Sequence, residues 1–201
     1  SDPRPGALHF GIGTFAFQYD DAHGDPVPGS QVLRDVVEEA VAAEQAGLDS
    51  FGIAEHYRRG MMDSAAPVVL AAIASRTQTL RLGTAVTVLS TQDPVRVYNE
   101  FATLDAVSAG RAQMIVGRGS AIESFPLFGF DLADYEALFD EKLDLLMRLL
   151  RDQPVTWAGR FRPPLTDQVL EPPVAAGAIP VWAGVGGSPQ SVIRAASSVF
   201  H

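Results

Sequence analysis

Leu82-Gly83-Thr84-Ala85-Val86-Thr87-Val88-Leu89-Ser90-Thr91-Gln92-Asp93-Pro94 is the stretch on which the fold turns. β-Branched and apolar residues fill a length that one strand uses, and polar residues follow. Asp93 with Pro94 then has the form of an N-cap and a first helical position. A strand that runs straight into a helix makes a βα unit. Because this strand is apolar on both faces, it predicts a parallel sheet with helices covering both sides.

The same unit recurs outward in both directions. Upstream, residues 8–15 form a strand-length apolar run, and residues 20–30 are a loop rich in Asp, Gly and Pro. Residues 31–46 place Val32, Leu33, Val36, Val37, Ala40 and Val41 on one helical face, and Gly47 supplies the stop. Residues 48–54 predict a second strand that ends at Glu55-His56-Tyr57, and residues 67–75 a second helix. Downstream, a helix over 94–108 is followed by a strand over 112–117 that runs into Gly117-Arg118-Gly119-Ser120. A loop holding Phe125, Phe128 and Phe130 precedes the most amphipathic helix, residues 135–151. Residues 156–161 and 169–172 read as a small hairpin, because Pro163, Pro164, Pro172 and Pro173 would break a central strand. Residues 179–184 give a further core strand, and Gly186-Gly187-Ser188-Pro189 leads into a helix near Gln190.

This rhythm belongs to a doubly wound open sheet or to a (β/α)8 barrel, and in both the chemistry lies beyond the carboxyl ends of the strands. No complete dinucleotide fingerprint follows the first strand, which counts against the open sheet. Composition narrows the function further. A net charge of -9 with only 15 Lys and Arg argues against a nucleic-acid partner. The absence of cysteine excludes disulfides and thiolate sites and fits a cytoplasmic protein. No secretory leader and no apolar run of membrane-spanning length is read in the chain.

At the strand ends, His56 can serve as a hydrogen-bond donor or general acid/base near neutral pH, the bland alternative being a loop histidine bonded to backbone. Glu55 beside it can bond a polar ring or orient the imidazole. Gly117-Arg118-Gly119-Ser120 combines close backbone approach with a planar, permanently charged fork suited to phosphate. Gly187 and Ser188, before the last predicted helix, form a second candidate anion cradle. The histidines are scattered and no metal-ligand spacing appears, so no metal site is expected.

Taken together in chain order, several motifs resemble the bacterial luciferase-like flavin monooxygenase family. They are the strand Phe10 to Phe15, Ala54-Glu55-His56, Leu82-Gly83-Thr84-Ala85-Val86 followed by Asp93-Pro94-Val95-Arg96, Asp105 to Arg111 ending in Ser-Ala-Gly-Arg, Val116 to Ser120, and Pro180-Val181-Trp182 with Gly186 to Pro189. The resemblance implies a (β/α)8 TIM-type barrel, here incomplete with about five of the eight βα units, as one domain over 1–201 with an insertion near 153–178. It implies reduced FMN, supplied by a flavin reductase, and dioxygen as co-substrates in the oxidation of a small organic molecule such as an aldehyde. His56 matches the family's active-site histidine, Arg118 the arginine that meets the flavin phosphate, and Gly187 and Ser188 the later phosphate-side loop. Thr84-Ala85-Val86 becomes the floor beneath the flavin ring, with a non-prolyl cis peptide expected at Ala85-Val86. Glu55 resembles the FMN-using members more than the relatives that use deazaflavin F420. The alternatives are a non-catalytic flavin-binding partial barrel and an F420-dependent oxidoreductase. An uncovered sheet edge predicts a homodimer.

Overall fold

The computed structural model describes residues 8–119 and 121–184. The elements run β1 (Gly11–Thr14), α1 (Gly29–Gln45), β2 (Ser50–Ile53), α2 (Ala66–Ala74), β3 (Arg81–Val88), α3 (Pro94–Val107), β4 (Ala112–Gly117), α4 (Ser124–Phe128), α5 (Tyr135–Arg151), β5 (Val155–Trp157), β6 (Leu165–Gln168) and β7 (Val181–Ala183). A five-stranded sheet has the order β1-β2-β3-β4-β7, with every neighbouring pair parallel. β5 and β6 pair antiparallel outside that sheet. Among the described residues no helix is long and apolar enough to cross a membrane.

The βα unit quoted first folds as its chemistry dictates. Asp93 Oδ1 accepts from the backbone N–H of Val95 at 2.9 Å and of Arg96 at 3.3 Å, which satisfies two of the donors left open at a helix start. Pro94 occupies the first turn, where its missing N–H costs nothing. α3 then buries Val97, Tyr98, Phe101 and Leu104. The other helices bury the stripes that their periodicity marks, Val32, Val36, Ala40 and Ala43 in α1 and Leu138, Leu145, Leu146 and Leu149 among others in α5. Each such large side chain contributes about 1.5–3 kcal/mol by leaving water.

The helices lie on one face of the sheet, not on both as the apolar run of β3 suggests. α1 packs on α2, α2 on α3 and α3 on α5, following the strands in order. Phe51, Ile53, Leu82, Met114 and Val116 point under that layer and are buried. The alternating residues on the other face are small or only partly covered: Ser50, Gly52, Gln113 and Ile115 are half-buried and Ala85 is exposed. One helix layer winding in strand order is barrel geometry, in which the second strand face turns inward. At the two outer strands, Ile12 and Trp182 remain about half exposed, at 48% and 49%.

The Ser-Ala-Gly-Arg run at 108–111 turns through Ala109 (φ 58°) and Gly110 (φ 84°), and delivers Arg111 to the amino end of β4. There its guanidinium donates to the carbonyls of Ala74, Thr77, Leu80 and Ser108 and to the Thr77 hydroxyl, at 2.8–3.1 Å. This motif is therefore a staple at the end of the sheet opposite the carboxyl ends of the strands. The hairpin forms, but its second strand is Leu165–Gln168, earlier than the predicted 169–172. Pro163 and Pro164 end the connection before it and so leave the strand intact. The loop expected around Phe125 contains the short α4, stopped by Gly129 in the left-handed conformation at φ 78°.

Candidate functional site

At the carboxyl ends of β2, β3 and β4 the chain encloses a cavity of about 440 Å³ lined by Glu55, His56, Ala85, Val86, Gly117, Arg118 and Gly119, together with Phe15, Val88, Ala121, Tyr135 and Gly184. A larger groove of about 830 Å³ lies on the helix side between α2 and α3 and shares only Glu55 with it. The strand-end cavity is the candidate site, because it gathers the residues whose chemistry is directional.

The floor comes from an irregularity in β3. The peptide Ala85-Val86 is cis, and the pairing of β3 with β4 shifts between Ala85 and Thr87. Both Ala85 and Val86 therefore line the cavity, whereas regular alternation would send one of them to the helices. Thr84 does not join them. It is 2% exposed and shares a 2.7 Å hydrogen bond with the Thr87 hydroxyl under the helix layer. Thr84 thus lies off the cavity lining, because the bulge brings Thr84 and Thr87 to the same, buried side. Val86 fits because its neighbours lack side chains. A Cβ on Gly117 would stand 2.8 Å from Val86 Cγ2, and one on Gly184 2.9 Å from Val86 Cγ1.

His56 leaves the end of β2 with its ring 5.4 Å from that of Phe15. Its Nδ1 lies 2.8 Å from Oδ2 of Asp63, a residue with no exposure at all. A carboxylate oxygen that accepts here places the hydrogen on Nδ1, and the neutral ring then keeps its lone pair on Nε2. Asp63 Oδ1 is buried with no hydrogen-bond partner among the described residues. Asp63 was not among the residues that the sequence singled out, because its polar, Gly-containing loop gives no sign of burial.

Glu55 is nearly buried and its oxygens are engaged by protein. Oε1 accepts from the Tyr57 hydroxyl at 2.5 Å and Oε2 from the Val88 N–H at 3.0 Å. Burial pushes its carboxyl above the ordinary value, against the opposing hydrogen bonds from Tyr57, Val88 and Gln92. The same burial, with the neighbouring Glu55 charge, pushes the Tyr57 phenol up. Glu55 thus clamps the bulged end of β3 to β2, with a side chain that reaches the cavity wall. Above it, Arg58 pairs with Glu123 at 2.6 Å and Tyr57 meets Phe128 edge-on at 4.8 Å, so the loops after β2 and β4 are bridged over β3.

On the β4 side, Arg118 is ion-paired with Glu136 in the first turn of α5. Its guanidinium lies 5.3 Å from the Tyr135 ring centroid, and the Tyr135 hydroxyl donates to the Gly119 carbonyl at 2.6 Å. Gly119 has φ 78°, a conformation that suits glycine. Ser120, Gly187 and Ser188 lie outside the described residues. The arrangement is a flat apolar strip flanked by an oriented imidazole on one side and a permanent cation on the other. That donor set fits a planar ring bearing an anionic tail.

Comparison with known proteins agrees with this geometry. The luciferase-like monooxygenase family profile matches residues 9–199. The 4-hydroxyprotoasukamycin monooxygenase of Streptomyces nodosus subsp. asukaensis is 35% identical over 64% of this chain and 35% of its own length. The F420-dependent glucose-6-phosphate dehydrogenase of Amycolatopsis mediterranei is 30% identical over 77% of this chain and 48% of its own. The crystal structure of the monooxygenase RslO1 from Streptomyces bottropensis superposes with a TM-score of 0.79 at 25% identity, covering 92% of this chain and 55% of that one. The chain therefore spans about half the length, or less, of the proteins that it matches. On the profile match and the shared barrel geometry together, the chain belongs to the luciferase-like monooxygenase family.

Proposed function

We propose that the chain carries the flavin-binding part of a monooxygenase that takes reduced FMN and dioxygen to oxidise a small organic molecule such as an aldehyde. The observation that supports this reading is the single cavity holding His56, the Ala85-Val86 strip and Arg118 side by side. Ala85 and Val86 supply a floor for the ring system. Arg118 supplies a charge for the phosphate, aided by the N–H groups of its glycine-flanked turn. Asp63 fixes the His56 tautomer, so that Nε2 takes or returns a proton at the bound molecule. Phe15 lies against one side of the imidazole. When bound, reduced FMN would supply the electrons that activate dioxygen, and a flavin reductase would supply the reduced FMN. Glu55, whose carboxylate is held by Tyr57 and Val88, positions the floor.

The test is fluorescence titration of FMN and riboflavin, followed by turnover with a flavin reductase. No quenching of either flavin at micromolar concentration overturns the reading. Binding without substrate-dependent turnover favours a non-catalytic flavin-binding partial barrel. A second reading, an F420-dependent oxidoreductase, is favoured by the 30% identical F420-dependent relative. It predicts that F420, and not FMN, raises the unfolding temperature. The half-exposed Ile12 and Trp182 at the outer strands, with Phe10 and Phe15 beside β1, support a homodimer that covers them.

A further inference from the structure

The Arg118 guanidinium is not waiting free for an anion: it already holds one, the Glu136 carboxylate. The two partners are held very differently. Arg118 is 20% exposed and lies against Tyr135. Tyr135 is itself fixed by its hydroxyl on the Gly119 carbonyl and by its ring 5.5 Å from Phe125. Glu136 is 53% exposed and stands in the first turn of α5, where water and the helix dipole both stabilise a carboxylate released from its partner. The cation is thus on the fixed side of the pair and the carboxylate on the yielding side. An incoming phosphate offers the same guanidinium a better, doubly charged acceptor at the mouth of the same cavity.

We infer that Glu136 is the exchange partner of Arg118, a carboxylate that holds the guanidinium until a phosphate replaces it and that thereby sets how far the cavity prefers a phosphorylated flavin over riboflavin. The inference rests on the flavin reading given above. A phosphate must displace the Glu136 carboxylate to reach the guanidinium, so removing that carboxylate strengthens binding of the phosphate-bearing ligand alone.

The experiment measures dissociation constants of FMN and riboflavin, by fluorescence quenching, for the wild-type chain, Glu136→Gln, Arg118→Ala and the double variant. Glu136→Gln is expected to tighten FMN by about threefold or more, the scale of a partly exposed ion pair, with riboflavin unchanged within about twofold. In the Arg118→Ala background the same substitution should change neither ligand. An unchanged or weakened FMN affinity in Glu136→Gln overturns the inference and makes Glu136 a residue that orients Arg118. If FMN alone weakens in Arg118→Ala while Glu136→Gln is silent, the flavin reading stands and only this inference falls. If the wild-type chain binds neither flavin, both fall.

Discussion

Gly117→Ala gives the most direct measure of how tightly the floor of the cavity is built. The new Cβ would stand 2.8 Å from Val86 Cγ2, 3.3 Å from Val86 Cβ and 3.4 Å from Val86 Cγ1. Ordinary carbon contacts are about 3.5–4.0 Å, so the nearest atom must give way by about 1 Å. On the β7 side Val86 Cγ1 faces Gly184, where an added Cβ would stand only 2.9 Å away, so the room for Val86 to shift there is set by the Gly184 backbone. Overpacking of this kind costs about 1–3 kcal/mol, and losing a glycine from the unfolded chain returns about 0.4–1 kcal/mol. The net expectation is a loss of about 1–2 kcal/mol, read as a lower urea midpoint at unchanged slope. Val86→Ala in the same chain should remove the clash, so the double variant should be more stable than the two single losses sum to. Additive losses would refute the packing of Val86 between the two glycines.

Asp63→Asn should leave the fold nearly intact while shifting the His56 ring away from the Nδ1–H tautomer, seen in its imidazole nitrogen shifts by NMR; an unchanged tautomer would remove Asp63 from the site. Glu55→Gln tests the buried carboxyl. Its folded pKa is raised, so the stability that it supplies is complete below the ordinary carboxylate range and is lost as pH rises through the raised value. The stability of Glu55→Gln relative to wild type should therefore climb with pH across that window in urea midpoints, and a constant difference would contradict the burial assignment. Sedimentation at micromolar concentration should give the mass of a dimer, and a monomer would show that the apolar outer strands are tolerated in water.

Much of this molecule was legible where the determining chemistry is local. Asp93 caps α3 through the N–H groups two and three residues on, and the stripes of α1 and α5 are set by a period of one helix, so sequence alone places them. The Ala85-Val86 strip was legible through the resemblance, but which neighbours join it was not. A strand read by alternation sends Thr84 and Thr87 to opposite faces. Only the shift against β4, visible once β4 is paired, puts both hydroxyls within 2.7 Å of each other and both Ala85 and Val86 on the cavity. Helices on both faces were the wrong expectation for a related reason: an apolar strand reports that both faces avoid water, and a barrel interior satisfies that as well as a second helix layer.

Arg118 marks where residue type stops being sufficient. A guanidinium between glycines fits phosphate on its own chemistry, yet what it does depends on the residues that α5 brings to it from the next segment of chain. Tyr135 and Glu136 arrive as consecutive residues of one helix turn, one as a fixed platform with its hydroxyl on Gly119 and the other as a solvent-facing counter-charge. The same is true of His56, whose proposed acid/base use depends on which ring nitrogen is free and hence on Asp63, seven positions on and wholly buried. In both cases the proposed functional group sits at a strand end, while its direction or its charge balance is set by a partner that only the packing supplies. Substituting the partners, and not the groups themselves, is therefore what separates a working site from a set of residues that merely match a motif.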